Sequence, residues 1–354
     1  MRRPVNREGF EQFRSILIKA VTISLIILIS SSNRVDAIKD GEEALGDVNV
    51  TTIFSSDFSP LSHCSAVYLE KRIVITAAHC LIRNKRADGQ SSLVEYFFDP
   101  KQSFVSQPGI NWAVDESPKV RVLDFYIPEF ESYNSEWIHS YPGREGDIAF
   151  LFLESELKGK PLNGIASKEM IASAKSAGVV LQVLGYGNTN YQIRNSGTPY
   201  SALVRARERV SDRSGIDSSL YLSAVGVGRG SICPGDSGGP IIWNKPEGRL
   251  LVGITFGGGT QTCHFGKPHF GDWSVEATLV WPYESILKKK YEEFLRYEAE
   301  AKAKAEAEAK AKAEAEAKAK AEATKKITIT CVKGKLTKRI TAVKPKCPTG
   351  YKKK

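Results

Sequence analysis

Three short runs in this chain carry side chains that can act on one another. His79 closes Thr76-Ala77-Ala78-His79 and precedes Cys80. Asp147 opens the apolar run Asp147-Ile148-Ala149-Phe150-Leu151, and Ser237 sits inside Gly235-Asp236-Ser237-Gly238-Gly239-Pro240. A hydroxyl, an imidazole and a carboxylate are the parts of an activated serine. The imidazole takes the hydroxyl proton, the carboxylate fixes the imidazole's tautomer, and N–H donors are needed where oxyanion charge develops. Each residue alone has an ordinary reading. A histidine beside a cysteine is usually structural, a serine in a glycine-rich turn is usually idle, and an aspartate before an apolar strand is often a turn residue. Their joint occurrence in the order His, Asp, Ser, with cysteines bracketing the first and last, is what gives them weight.

The elements that must position these groups read as short strands. Ser65-Ala66-Val67-Tyr68-Leu69, Ile73-Val74-Ile75, Leu181-Gln182-Val183-Leu184, Ile241-Ile242-Trp243 and Leu250-Leu251-Val252-Gly253-Ile254 are β-rich and separated by Gly, Pro, Asn and Ser. Many short strands with turn punctuation and no βαβ rhythm predict an all-β sandwich or barrel. A hydrophobic content of 42% and 354 residues suffice for one large domain with appendages. Six cysteines fall as close pairs, Cys64/Cys80, Cys233/Cys263 and Cys331/Cys347, which predicts three local disulfides in an oxidising compartment. No CxxC or CxxH spacing suggests zinc, so neither a metal nor a cofactor is expected.

Together the three motifs resemble the trypsin/chymotrypsin family of serine endopeptidases over roughly residues 38 to 290. The resemblance implies two antiparallel six-stranded β-barrels, chymotrypsin-like, with the active site between them. It implies that Ser237 is the nucleophile, that His79 is general base and then general acid, and that Asp147 orients and stabilises the imidazole. Backbone N–H groups of Gly235 and Ser237 are then the oxyanion hole. Leu184-Gly185-Tyr186-Gly187-Asn188-Thr189 is a further family-like turn. The resemblance also implies that a newly exposed N-terminus pairs with Asp236. The matching start is Ile38-Lys39-Asp40-Gly41, with Lys39 a departure from the usual opening. The pocket floor corresponds to Ser231, where Lys/Arg-specific members carry aspartate, so apolar side chains such as Phe, Tyr or Leu are the expected preference. Thr255, Phe256 and Gly257 correspond to the segment that lines the pocket and pairs with substrate backbone. The second pocket wall, beyond Cys263, departs in length from the family, and His264 and His269 there read more readily as loop residues than as pocket groups.

The ends of the chain predict export and attachment. Arg2, Arg3, Arg7, Arg14 and Lys19 precede an apolar run from Ala20 to Ile29, and Val35-Asp36-Ala37 suits a signal peptidase, so residues 1–37 read as a signal peptide, with an uncleaved anchor as the alternative. Residues 38–292 are the expected protease domain. Residues 293–324 form an Ala/Glu/Lys repeat with opposite charges at i,i+4, such as Glu298/Lys302 and Glu306/Lys310. With no a/d heptad this predicts a solvated helical rod, a stalk rather than a true coiled coil, the alternative being a disordered linker. Residues 325–354 carry eleven Lys/Arg and no acid, so the chain's net charge of +10 resides in this basic, two-cysteine tail module. Expected partners are protein or peptide substrates and, through the tail, an anionic cell-surface polymer or lipid, against a plain solubility tail; export argues against nucleic acid. A secreted or cell-surface location follows. The competing readings of the body are a catalytically silent adhesion or scaffold protein and a serine esterase. Asn49-Val50-Thr51 is a glycosylation sequon.

Overall fold

The computed structural model describes residues 38, 41–54, 64–87, 90–96, 102–128, 146–187, 197–208, 218–228, 230–259 and 273–354, with main chain alone for 82–87 and 90–96. The expected signal peptide, Cys263, His264 and His269 lie outside the described residues. The chain divides between Tyr291 and Glu292 into two compact units.

The first unit holds two closed six-stranded antiparallel barrels. Its strands begin with β1 (Glu42–Glu43), β2 (Val50–Phe54), β3 (Ser65–Glu70) and β4 (Ile73–Thr76). A separate hairpin of β5 (Ile82–Ala87) and β6 (Gln90–Tyr96) follows, then β7 (Phe104–Val105), β8 (Val120–Tyr126) and β9 (Ala149–Leu153). The first barrel closes in the order β2-β3-β4-β9-β8-β7. All five residues of β9 are buried, which hides any alternation from the sequence. Ala149, Leu151 and Leu153 point into the barrel core. Phe150 and Phe152 point the other way, Phe150 stacking on Tyr126 at 6.4 Å and Phe152 meeting Tyr291 at 5.9 Å. Burying each such side chain contributes about 1.5–3 kcal/mol.

The second barrel comprises β10 (Val180–Gly185), β11 (Tyr200–Arg207), β12 (Tyr221–Val227), β13 (Pro240–Lys245), β14 (Gly248–Gly259) and β15 (Ser274–Leu279). Its order is β11-β10-β13-β14-β15-β12; pairing of β12 with β11 closes it, and β1 adds to β11. In β11 the period of two is plain: Ala202, Val204 and Ala206 are buried while Leu203, Arg205 and Arg207 are exposed. A helix that the strand-only reading did not anticipate, α1 (Lys168–Ala177), precedes β10. Ser167 caps it by accepting from Met170 N (3.3 Å), Gly178 ends it in a left-handed conformation, and Ile171 joins the barrel core.

Arg249 on β14 clasps the segment that leads into the first barrel. Its guanidinium donates to both carboxylate oxygens of Asp47 (3.2 and 2.8 Å) and to Asn49 Oδ1 (2.7 Å). Asn49 also donates through Nδ2 to the Lys160 carbonyl (2.8 Å) and is 1% exposed. The sequon is therefore closed to a glycan in this fold, because the amide that would carry the sugar is buried and already bonded.

In the C-terminal part, α2 (Glu284–Thr324) is one helix of 41 residues. Residues 299–324 are exposed throughout, as alternating Ala and charge with no wide apolar stripe dictate. A three-stranded antiparallel sheet follows, β17-β16-β18, made of β16 (Ile327–Lys333), β17 (Leu336–Ala342) and β18 (Lys352–Lys353). Cys331 and Cys347 are disulfide-bonded. With so little core, the cross-link carries much of the module's stability. Among the described residues no helix is long and apolar enough to cross a membrane.

Candidate active site

The register of the first barrel brings His79 to Asp147. Thr76 at the end of β4 pairs with Ala149 at the start of β9, so the chain leaving one strand meets the chain entering the other. His79 sits in the short 3₁₀ helix Ala78–Cys80 just past β4, and Asp147 lies two residues before β9. The Asp147 carboxylate accepts twice from one residue, at Oδ2 from the His79 ring Nδ1 (2.8 Å) and at Oδ1 from the His79 backbone N–H (2.9 Å). That double hold fixes the turn and the ring together. Thr278 Oγ1, from β15 of the second barrel, donates to the Asp147 carbonyl (3.2 Å). Burial pulls the His79 pKa down, but the charge and hydrogen bond of Asp147 outweigh it, and the imidazole ends above its ordinary 6.5.

Cys64 and Cys80 are disulfide-bonded, anchoring the turn that carries His79 to the start of β3. Cys64, His79 and Cys80 have ligand atoms within 4.8 Å of one another, yet both sulfurs are spent on the disulfide, so the cluster does not act as a metal site. Cys233 is also disulfide-bonded.

Ser237 is partly exposed in the loop between β12 and β13. Its carbonyl accepts from Ser65 N (2.8 Å) and lies 3.9 Å from Cys80 Sγ, so the loop is seated beside the residue that follows His79. Two glycines permit this seat. A Cβ on Gly238 would lie 2.1 Å from the Ser65 carbonyl and 2.2 Å from Thr76 Oγ1, so no side chain fits there. Gly235 has φ of 100°, a conformation that L side chains rarely adopt, and this turns the chain into the loop.

Ser65, which sequence reasoning passed over, is the junction of the site. Its N–H donates to Ser237 O, and its hydroxyl donates to Gly235 O (2.9 Å) and accepts from Tyr186 N (2.7 Å). Its carbonyl accepts from Thr76 Oγ1 (2.9 Å). One residue thereby binds β3, β4, the turn after β10 and the Ser237 loop. The only sequence signal was a hydroxyl residue directly after Cys64.

Behind the loop, Asp236 is fully buried. Its oxygens accept from Gly187 N (2.8 Å) and Cys233 N (2.7 Å), and Ile38 N–H bonds it as well. Burial still raises its pKa to about 7, the three N–H donors opposing that rise. Ile38 is 0% exposed and belongs to the second barrel's core.

The expected pocket residues are less fully defined. Ser231 is buried, its hydroxyl donating to the Ile232 carbonyl (3.4 Å). Thr255 is tied to the Ser237 loop by two main-chain bonds, Gly238 N to Thr255 O (2.7 Å) and Thr255 N to Gly239 O (2.9 Å). Phe256 packs edge-on against Tyr221 at 5.6 Å. Gly257 lies at an irregularity of β14, with nothing within 4 Å of where a Cβ would stand.

The family described as Trypsin matches residues 47–271. The chain is similar to seminase of Drosophila melanogaster, 25% identical over 189 residues, which is 51% of this chain and 59% of that protein. It is also similar to a venom serine protease of Polistes dominula, 24% identical over 213 residues (58% of this chain, 69% of that one). Snake venom serine protease 3 of Protobothrops flavoviridis is 24% identical over 205 residues (56% and 68%). The chain thus spans about three fifths of the length of seminase. A match across well over half of the residues, on a pair of six-stranded barrels, settles the kinship: the chain belongs to the trypsin family of serine proteases.

Proposed function

We propose that this protein is an exported serine endopeptidase that cleaves peptide bonds through an acyl-enzyme on Ser237. The observation that carries the reading is the doubly bonded His79–Asp147 pair set beside the loop of Ser237. With Nδ1–H committed to Asp147, the other ring nitrogen is left as an acceptor. It takes the Ser237 proton as the oxygen attacks the scissile carbonyl, then returns that proton to the leaving amine. The oxyanion is met by the N–H groups of Gly235 and Ser237, each donor of this kind contributing about 10²–10³ in rate. Water then attacks the acyl-enzyme by the same proton route in reverse.

Export is supported by the basic and apolar run of residues 2–29, and by the venom origin that two relatives' names state. Cleavage between Ala37 and Ile38 would both remove the signal and create the N-terminus that Asp236 awaits, with no separate propeptide. The hydroxyl of Ser231 in place of a carboxylate favours apolar over Lys or Arg side chains in the substrate. The domain limits 38–292, 293–324 and 325–354 are part of the same reading: protease, helical stalk, basic module.

A serine-directed fluorophosphonate should label the folded protein, and the Ser237→Ala variant should take no label. A peptide-library digest should then show cleavage after Phe, Tyr or Leu. Absence of label on folded protein marks a silent scaffold, and turnover of esters without peptides marks an esterase.

Ser65 gives a finer test. Ser65→Ala removes the hydroxyl's bonds to the Gly235 carbonyl and the buried Tyr186 N–H, a loss of about 1–3 kcal/mol. The expected result is a fall in kcat of about tenfold or more with KM little changed, because the donor that drifts is one used in the transition state. A drop in melting temperature with kcat intact would make Ser65 merely structural.

A further inference from the structure

We infer that the open face of the C-terminal sheet is a binding surface for an extended, anionic polysaccharide. The inference is independent of the proposed peptidase activity. Its basis is the strand register. Thr328 pairs with Thr341, Thr330 with Arg339, Val332 with Thr337, and Val332 with Lys352 on the third strand. Paired residues and their i,i+2 neighbours share a face. One face of the sheet therefore carries Thr328, Thr330, Thr337, Thr341, Arg339 and Lys352 around Val332. All but Thr330 and Val332 are exposed, and those two are half-buried.

The opposite face holds the small core. Ile329 is 8% exposed and Cys331 0%, and the disulfide to Cys347 draws the last segment of chain to that side. The middle of that face is thus filled by the molecule itself, with Lys333, Leu336, Lys338 and Lys353 exposed around it, while the first face is left to solvent as a lattice of hydroxyls with two cations. Thr328 and Thr341 already share a hydrogen bond of 2.8 Å across the strands.

The composition selects the partner's charge. Residues 325–354 hold eleven Lys/Arg and no Asp or Glu. A surface with no internal counter-charge attracts a polyanion over the whole module, and releases its counterions when it binds. The chemistry of the face selects the partner's class. Threonine hydroxyls both donate and accept, as sugar hydroxyls do, and the guanidinium of Arg339 offers a fork that matches a sulfate or carboxylate group. Beyond plain charge attraction, a bilayer is held by a shared apolar wedge. The exposed aliphatic residues are split instead, with Leu336 at the hairpin turn and Ile327 and Val343 at the other end of the sheet. Single-stranded nucleic acid would need aromatic rings to stack on. The module's tyrosine, Tyr351, is half-buried beneath Lys338, whose register places it on the opposite face.

The test uses the full-length Ser237→Ala protein, which isolates binding from any proteolysis, with heparin as the probe. Affinity should fall steeply with chloride. Arg339→Gln with Lys352→Gln should weaken binding by about tenfold or more, as expected for loss of two charge-assisted contacts. Lys344→Gln with Lys346→Gln, an equal charge loss off the face, should weaken it by less than about threefold. Thr330→Val with Thr341→Val, which leaves charge unchanged, should also weaken it. Far-ultraviolet dichroism and a thiol assay confirm that each variant keeps its sheet and disulfides. Equal losses from both charge pairs, or no effect of the threonine pair, would reduce the module to unspecific positive charge and overturn the inference. So would equal or tighter binding to phosphatidylserine vesicles or to a single-stranded oligonucleotide.

Discussion

Replacing Asp147 with asparagine is expected to lower kcat/KM by about four orders of magnitude while both barrels stay folded. The new side chain has the same shape, and its oxygen can still accept from the His79 backbone N–H as Asp147 Oδ1 does at 2.9 Å. Its NH₂ group, however, now faces the ring Nδ1, which sits 2.8 Å from a carboxylate oxygen in the parent. The imidazole must turn its acceptor nitrogen toward the amide and carry its proton on the side of Ser237, where it can no longer take one. A second signature accompanies the loss. The parent imidazole is held above 6.5 because Asp147 outweighs burial, so parent activity should decline as pH falls through a value above 6.5, the protonated ring being unable to act as base. Without the carboxylate only burial remains, and the acid limb of the residual activity should move to lower pH. Profiles of kcat/KM between about pH 5 and 9 check both points. Activity within tenfold of the parent, or an acid limb that does not move, would remove Asp147 from the machinery.

The motifs around His79, Asp147 and Ser237 were legible because each is a local run, and local runs survive in one dimension. The device that joins two of them was not. It is the antiparallel register of β4 on β9, and β9 is buried on both faces, so its sequence shows an apolar block with no period from which to read a partner. Strands with one wet face, such as β11, announce themselves by alternation. Helix α1 escaped because it buries only Ile171 and Ala174, too little for a periodic stripe, although Ser167 and Gly178 mark its ends. Ser65 and Arg249 escaped for a different reason. Their importance lies in partners some 120 to 200 positions away, and nothing near either residue hints at them. The burial of Asn49 within its sequon was hidden for the same reason, being a product of tertiary contacts.

The largest conditional effect concerns Ile38. In the continuous chain Ile38 has φ of 42°, a left-handed conformation that a β-branched residue adopts only under strain, of order 1–3 kcal/mol. Its amide N–H bonds the buried Asp236, whose pKa is raised to about 7. A carboxyl that ionises near 4 when unfolded and near 7 when folded opposes folding once it ionises. The contribution of Asp236 to the continuous chain's stability is therefore greatest in acid and falls by roughly 4 kcal/mol as pH rises from about 4 through about 7. A chain beginning at Ile38 differs in two ways. Its first residue has no preceding carbonyl, so the φ strain is gone, and the amide becomes an ammonium facing the carboxylate. That charge pulls the Asp236 pKa down, so the contact is kept at neutral pH and lost only as pH rises through the pKa of the ammonium. Since Asp236 lies between Gly235 and Ser237, the same contact holds the two N–H groups proposed as oxyanion donors. The Ile38-initiated form should therefore exceed a form extended by residues 36–37 at pH 8 by at least about a hundredfold in kcat/KM, the size of one oxyanion donor. Its urea midpoint should stay level from about pH 5 to 8, where that of the extended form falls. Equal activity and parallel midpoints in the two forms would refute this account of Ile38, as would a secreted protein whose first residue is not Ile38.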